Sequence, residues 1–237
     1  MYSDPDTPDT PKMSQAKVFL DTAAVKHSIR SRTVLRPKRQ TMTWGNQVHE
    51  VVVHDIVEID PTADVTVEPL RTEIDLLSEI AKRATADDIE LLWNIESEIE
   101  FFGIYPLGGG ASELIDAGVT MVEGPVKYDR LLTPMSPFLG ETWRSIRTDF
   151  LRGLDHPRYH QLQRACGAHQ GDRINENQLV DAFHVWCAEV AGASHFLTTD
   201  LKLVRLVRDH KSAPPKVRVV TPSQLLSELA ANAQNSA

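Results

Sequence analysis

The stretch that most constrains the fold begins at Asn175, where short apolar runs and amphipathic segments alternate without interruption. Between Asn175 and Ala191, the residues Leu179, Ala182, Phe183, Trp186 and Val190 recur at three- and four-residue spacing, which predicts a helix. Next comes "SHFLTTDLKL", an apolar run that stops on Asp200 and reads as a strand, followed by a helix from Leu201 to His210. Lys216 to Val220 predicts a last strand, and Thr221-Pro222-Ser223 opens a closing helix. Successive strands joined through helices must lie parallel and be covered on both faces. The expected fold class is therefore α/β, a three-layer α/β/α arrangement around a central, mainly parallel sheet.

The first half fits the same scheme less regularly. "KVFL" predicts a buried strand ending on Asp21, and Ile89 to Trp93 predicts another. Ile74, Leu77, Ile80 and Ala81 place a helix over 72–83, with a turn at 84–88. "NIESEIEFFG" restarts helical spacing at Ile95, Ile99 and Phe102. Gly45-Asn46, flanked by β-forming residues, predicts a β-hairpin. The glycine- and proline-rich middle carries a short helix at 111–117, a strand at 119–122 and a helix at 141–152. Residues 1–16, rich in Asp and Pro, read as a disordered lead-in, and 17–237 as one domain.

Composition removes several classes of function. No apolar run approaches the ~18 residues of a membrane span, and the lead-in lacks the apolar core of a signal peptide. With Cys166 and Cys187 alone, no disulfide framework is expected, and a cytoplasmic setting is the default. The net charge of −8 disfavours a surface that grips nucleic acid everywhere, but the charge is sorted. Lys26, Arg30, Arg32, Arg36, Lys38 and Arg39 fall within 14 positions that hold no acid. This basic arm, with Lys202 and Arg205 further on, is the expected contact for an RNA backbone.

Other motifs are weak. In "HEVVVH" the second histidine comes one residue too late for a zinc-protease helix, and the β-branched run puts His49 and His54 on opposite faces of a strand. His156 and His160 have helical ligand spacing, but Pro157 intervenes and no third ligand is evident. Gly108-Gly109-Gly110 lacks the residues of a phosphate loop.

The carboxylates are more informative. Ligands of an open parallel sheet bind beyond the carboxyl ends of its strands. Asp21, the Glu96/Glu98/Glu100 group and Asp200 each follow a predicted strand, and Asp181 lies near the start of the apolar helix. Each alone is readily a helix cap, a turn former or a solvated side chain. Together they would repel unless a cation compensated. Hard oxygen ligands suit Mg²⁺ or Mn²⁺, and such ions activate water for displacement at phosphorus.

The segments "VFLDTAAV", "QLVDAFHVWCAEVAGASHFLTTDLKLVRLV" and "VRVVTPSQLL" resemble the PIN-domain ribonucleases. The shared features are a first strand ending in Asp, a D-A-x-H helix, a strand ending in T-x-D, and a final strand leading into T-P-x-x-L-L. The likeness is nearly gapless from Asn177 to Leu226, including the 19-residue step from Asp181 to Asp200. The resemblance implies a Mg²⁺- or Mn²⁺-dependent endoribonuclease whose metal is held by Asp21, one glutamate, Asp181 and Asp200, with Thr198 supporting the site. Counting four residues from Asn94 selects Glu98, with Glu96 and Glu100 open as alternatives. Two insertions relative to compact members are implied, at about 30–68 and at 103–174. A toxin partnered by an antitoxin, a homodimer, or a non-catalytic RNA- or protein-binding module of the same fold remain alternatives.

Overall fold

The computed structural model describes residues 15–104, 111–126, 143–170 and 173–235. The lead-in expected at 1–16, except its last two residues, and Gly108 to Gly110 lie outside the described residues. The elements run β1 (Ala16–Leu20), α1 (Thr22–His27), β2 (Ile29–Trp44), β3 (Gln47–Glu58), α2 (Glu68–Asp75) and α3 (Leu77–Thr85). They continue with β4 (Ile89–Asn94), α4 (Ile95–Ile104), β5 (Ala111–Ser112), α5 (Glu113–Asp116), β6 (Thr120–Val122), α6 (Trp143–Arg152) and α7 (Pro157–Ala165). The chain closes with β7 (His169–Gln170), β8 (Arg173–Ile174), α8 (Glu176–Val190), β9 (His195–Leu197), α9 (Leu201–Asp209), β10 (Arg218–Val220) and α10 (Pro222–Asn235).

Five strands form a parallel sheet in the order β10-β9-β1-β4-β6, so the expected three-layer α/β/α fold is present. Its strands are short apolar runs because both faces are covered. Along β1, Val18 and Leu20 point into one apolar cluster with Leu77, Ile80 and Leu225, while Phe19 points into the other with Leu162, Phe183 and Trp186. This two-residue alternation divides the core into two layers. Phe19 stacks on Phe196 of β9 with ring centroids 5.8 Å apart, tying the central strands together on one face.

From β1 the chain winds outward through β4 to β6, and then returns to β9 and β10 on the other side of β1. The winding direction reverses between β1 and β9, whose backbones pair from Val18↔His195 to Leu20↔Leu197. Their carboxyl ends are where a crevice opens in such sheets. Helix starts beyond the strands are well capped. Asn175 Oδ1 accepts from Gln178 N–H at 3.3 Å, and Thr221 and Gln224 exchange backbone-to-side-chain hydrogen bonds ahead of α10.

Several boundaries differ from the sequence expectation. Lys26 of the basic arm lies in α1, and the rest of the arm, from Arg30 to Arg39, is part of strand β2, paired antiparallel with β3; Gly45 takes φ 62° at the first position of the two-residue connection. That left-handed φ is what a tight hairpin connection of this kind requires. The single helix expected over 72–83 is two, α2 and α3, meeting at Leu76. Helix α7 starts at Pro157 itself, where a proline's missing N–H costs nothing. Among the described residues no helix is long and apolar enough to cross a membrane.

Candidate functional site

Asp21 leaves β1 at the reversal point and is 4% exposed. Its N–H donates to Leu197 O at 2.9 Å, which continues the β1/β9 pairing by one residue. Its carboxylate makes no cap bond to α1, although it occupies the N-cap position. Instead Oδ2 accepts from Thr198 Oγ1 at 2.5 Å, and that hydroxyl oxygen accepts from Asp200 N–H at 2.9 Å. Buried Thr198 thus binds the ends of both strands into one edge.

Asp200 caps α9: Oδ1 accepts from the N–H groups of Lys202 and Leu203 at 2.8 and 3.0 Å. Its local role is the helix cap that sequence alone suggests, which leaves Oδ2 for other partners. Asp181 reaches the same region from α8. Burial, then the charges of Asp21, Asp200 and Glu100, push its carboxyl well above the usual carboxylate range, with Arg147 acting in the opposite sense. Asp21, Asp200 and Glu100 thus stand within electrostatic reach of Asp181.

The glutamate brought to this edge is Glu100, not Glu98. Thr22 Oγ1 donates to Glu100 Oε2 at 3.1 Å, and Arg147 Nη1 lies 3.4 Å from the same oxygen. Glu98 is partly exposed, about half a turn around α4 from Glu96 and Glu100. Glu96 is on the same stripe as Glu100 but 1% exposed, with its charge near Tyr159 and Cys187. Asn94, the reference from which Glu98 was counted, accepts from Glu96 N–H and donates to Val122 O. It stitches β4 to β6 and caps α4.

Two further side chains reach the site: His184, the histidine of the D-A-x-H motif, which was not selected as a site residue, and Arg147. His184, three residues after Asp181 on α8, is 1% exposed with Nδ1 3.9 Å from Asp21 Oδ1 and Nε2 4.0 Å from Glu100 Oε2. Neither nitrogen has a hydrogen-bond partner. Its i, i+3 spacing from Asp181 was the available signal, hidden because an apolar helix also buries core histidines. Arg147 comes from α6, inside the segment read as an insertion, and its side chain is 11% exposed with Nε unpartnered.

The expected RNA contacts separate into two kinds. Arg30 is tied down by bonds to Glu113 (3.1 Å) and Ser78 (2.9 Å). Arg39 is exposed and pairs across the ribbon with Glu50 at 3.6 Å. Arg32, Arg36 and Lys38 lie on β2, with side chains outside the described ones. Lys202 is exposed two residues beyond Asp200. Beside it, a cavity of about 420 Å³ is lined by His27, Val67, Leu70, Thr199 and Asp200 among others, and His27 Nδ1 is 2.8 Å from Thr199 Oγ1. Burial and the Lys26 charge hold His27 below the ordinary histidine value.

Among the described residues no three His, Cys, Asp or Glu side chains are gathered as a ready ligand set for one ion. Burial, and after it the charges of Asp21, Asp200 and Glu100, pushes Asp181 toward protonation, and the buried His184 imidazole has both nitrogens without a hydrogen-bond partner. Comparison with protein-family models, with curated proteins and with solved structures finds no match.

Proposed function

We propose that the chain is a metal-dependent ribonuclease, with Asp21, Asp181, Asp200 and Glu100 holding Mg²⁺ or Mn²⁺ at the β1/β9 edge. The observation that carries this reading is the approach of Asp21, Asp200 and Glu100 to Asp181 where a parallel sheet reverses its winding; burial and, after it, these charges hold the Asp181 carboxyl above the usual range. Such repulsion is a standing cost unless a cation offsets it. The bound ion would lower the pKa of a water and counter charge developing at phosphorus.

The chain's own side chains have defined parts in this reading. Thr198 fixes the Asp21 carboxylate and the Asp200 backbone, and Thr22 orients Glu100. Arg147 offsets part of the negative charge and offers a guanidinium to a substrate phosphate. RNA as the substrate rests on the resemblance to PIN-domain ribonucleases over Asn177 to Leu226, and on the basic residues of β2 together with Lys202. The free, buried thiols of Cys166 and Cys187 support a cytoplasmic setting.

The experiment is RNA cleavage by the full chain in Mn²⁺, in Mg²⁺ and in EDTA, with Asp21→Asn and Asp200→Asn alongside. Cleavage that needs the metal and is lost in both variants supports the reading. Full activity in either variant sinks it. A second reading, a non-catalytic RNA-binding module, draws on the lack of a gathered ligand set among the described residues. RNA binding that persists in EDTA, without cleavage of varied RNAs in Mn²⁺, would favour it.

A further inference from the structure

The cavity beside Asp200 has no part in the chemistry proposed above. It holds about 420 Å³, within the ~300–1,000 Å³ of small-molecule pockets. Its walls come from α1, from the entry to α2 and from the β9–α9 connection. Val67, Leu70 and Leu201 supply apolar surface, and Val67 is 52% exposed at the N-cap of α2. Against these stand the polar groups of His27, Thr199 and Asp200. Thr199 is 2% exposed, and its hydroxyl lies 2.8 Å from His27 Nδ1.

This lining discriminates between the parts of a nucleotide. The first N–H groups of α9, those of Lys202 and Leu203, are already taken by Asp200 Oδ1, and a carboxylate in the wall repels a phosphate. A purely apolar occupant would bury imidazole nitrogen without a partner, which is unfavourable. A planar ring with a hydrogen-bonding edge matches both the apolar walls and the imidazole. Burial and the Lys26 charge, opposed by Asp21, hold His27 below the ordinary histidine value, so the neutral ring carries one donor and one acceptor. Nδ1 is engaged by Thr199, which leaves Nε2 for the edge of a base. Asp200 belongs both to this lining and to the carboxylate edge, so an RNA phosphate at that edge brings a neighbouring base to the cavity. Lys202, an exposed member of the lining, adds positive charge for the backbone.

Resting on RNA as the substrate of the proposed site, we infer that this cavity is a nucleobase pocket in which His27 reads the base next to the phosphate at the carboxylate edge. One unpaired base packs against Val67, Leu70 and Leu201, and His27 Nε2 hydrogen-bonds its edge. Thr199 holds the imidazole in place. A paired base cannot enter, because its edge and both its faces are already engaged. His27 touches no reacting atom; it determines which base is preferred.

The test is binding of fluorescently labelled oligoadenylate, oligouridylate and oligocytidylate of equal length to the full chain in EDTA, read by anisotropy, which requires neither metal nor cleavage. The wild-type chain should bind its best strand roughly 10-fold more tightly than its worst. In His27→Ala, and in Val67→Trp, which crowds the cavity from an exposed position, the three affinities should converge on that of the worst strand. Equal affinities in the wild-type chain, or a preference that survives in both variants, overturns the inference while leaving the nuclease reading intact. Val67→Trp decides the matter even if His27→Ala does not fold. A wild-type chain that binds none of the strands overturns the inference together with RNA as the substrate. Base-selective binding that is lost in the variants supports the pocket even where no Mn²⁺-dependent cleavage is found, the result that overturns the nuclease reading alone.

Discussion

The central sheet and the β2–β3 ribbon are made of strands of opposite character. Strand β9 has three residues, all buried, whereas β2 and β3 run for 16 and 12 residues, and Arg39 to Glu50 is exposed throughout. Trp44 at the ribbon's end is 82% exposed. The sheet is held by an apolar cluster on each face, while the distal ribbon has little beyond its own ladder. Strand length therefore says little about burial. Asp21 and Asp200, ligands of the proposed site, follow the short buried strands, whereas Arg39 lies on the long exposed one.

Equivalent substitutions should then have unequal effects. Phe196→Ala, which removes the ring stacked on Phe19, should cost roughly 3–5 kcal/mol in urea unfolding, while Val52→Thr on the ribbon should stay within about 0.5 kcal/mol. Comparable losses at the two positions would break the contrast. Next in size are the glutamates of α4. Glu100→Gln should lower Mn²⁺ affinity or metal-dependent cleavage by about 10- to 100-fold, and Glu98→Gln should leave both unchanged. The reverse pattern would return the site to the glutamate selected from sequence.

A smaller effect concerns pH. The raised folded-state value of Asp181 means that the folded protein holds this proton more tightly than the unfolded chain, whose carboxyl titrates near ~3.9. Stability of the metal-free protein should fall as pH rises from there through the raised value, a loss that Asp181→Asn does not suffer. Urea midpoints of the two proteins at successive pH values should diverge as pH increases. A constant difference would mean that Asp181 is not perturbed. The smallest effect belongs to the ribbon: Arg39→Ala should weaken RNA binding slightly and reduce the logarithmic salt slope by about 1, with little change in kcat.

The same contrast explains what could be read from sequence. The β/α alternation after Asn175 was legible because α9 has one apolar face, α8 is a long run buried on nearly every side, and β9 is a continuous apolar run. Asp21 and Asp200 were legible as strand ends. Strand β2 was read as a basic arm because neither distal face is buried, so no two-residue apolar pattern marks it. The glutamates of α4 alternate across both faces of the helix, and only tertiary partners, Thr22 and Arg147, select Glu100. Arg147 itself lies in the glycine- and proline-rich middle, where local spacing carries no information about long-range approach.

The central claim is that the carboxylates at the β1/β9 edge form a cation site. Its most direct test is the anomalous scattering of crystals of the full chain soaked in Mn²⁺. The account predicts a peak bounded by Asp21, Glu100, Asp181 and Asp200, lost in Asp21→Asn. A well-ordered site without a peak, or Mn²⁺ bound only elsewhere, would contradict it.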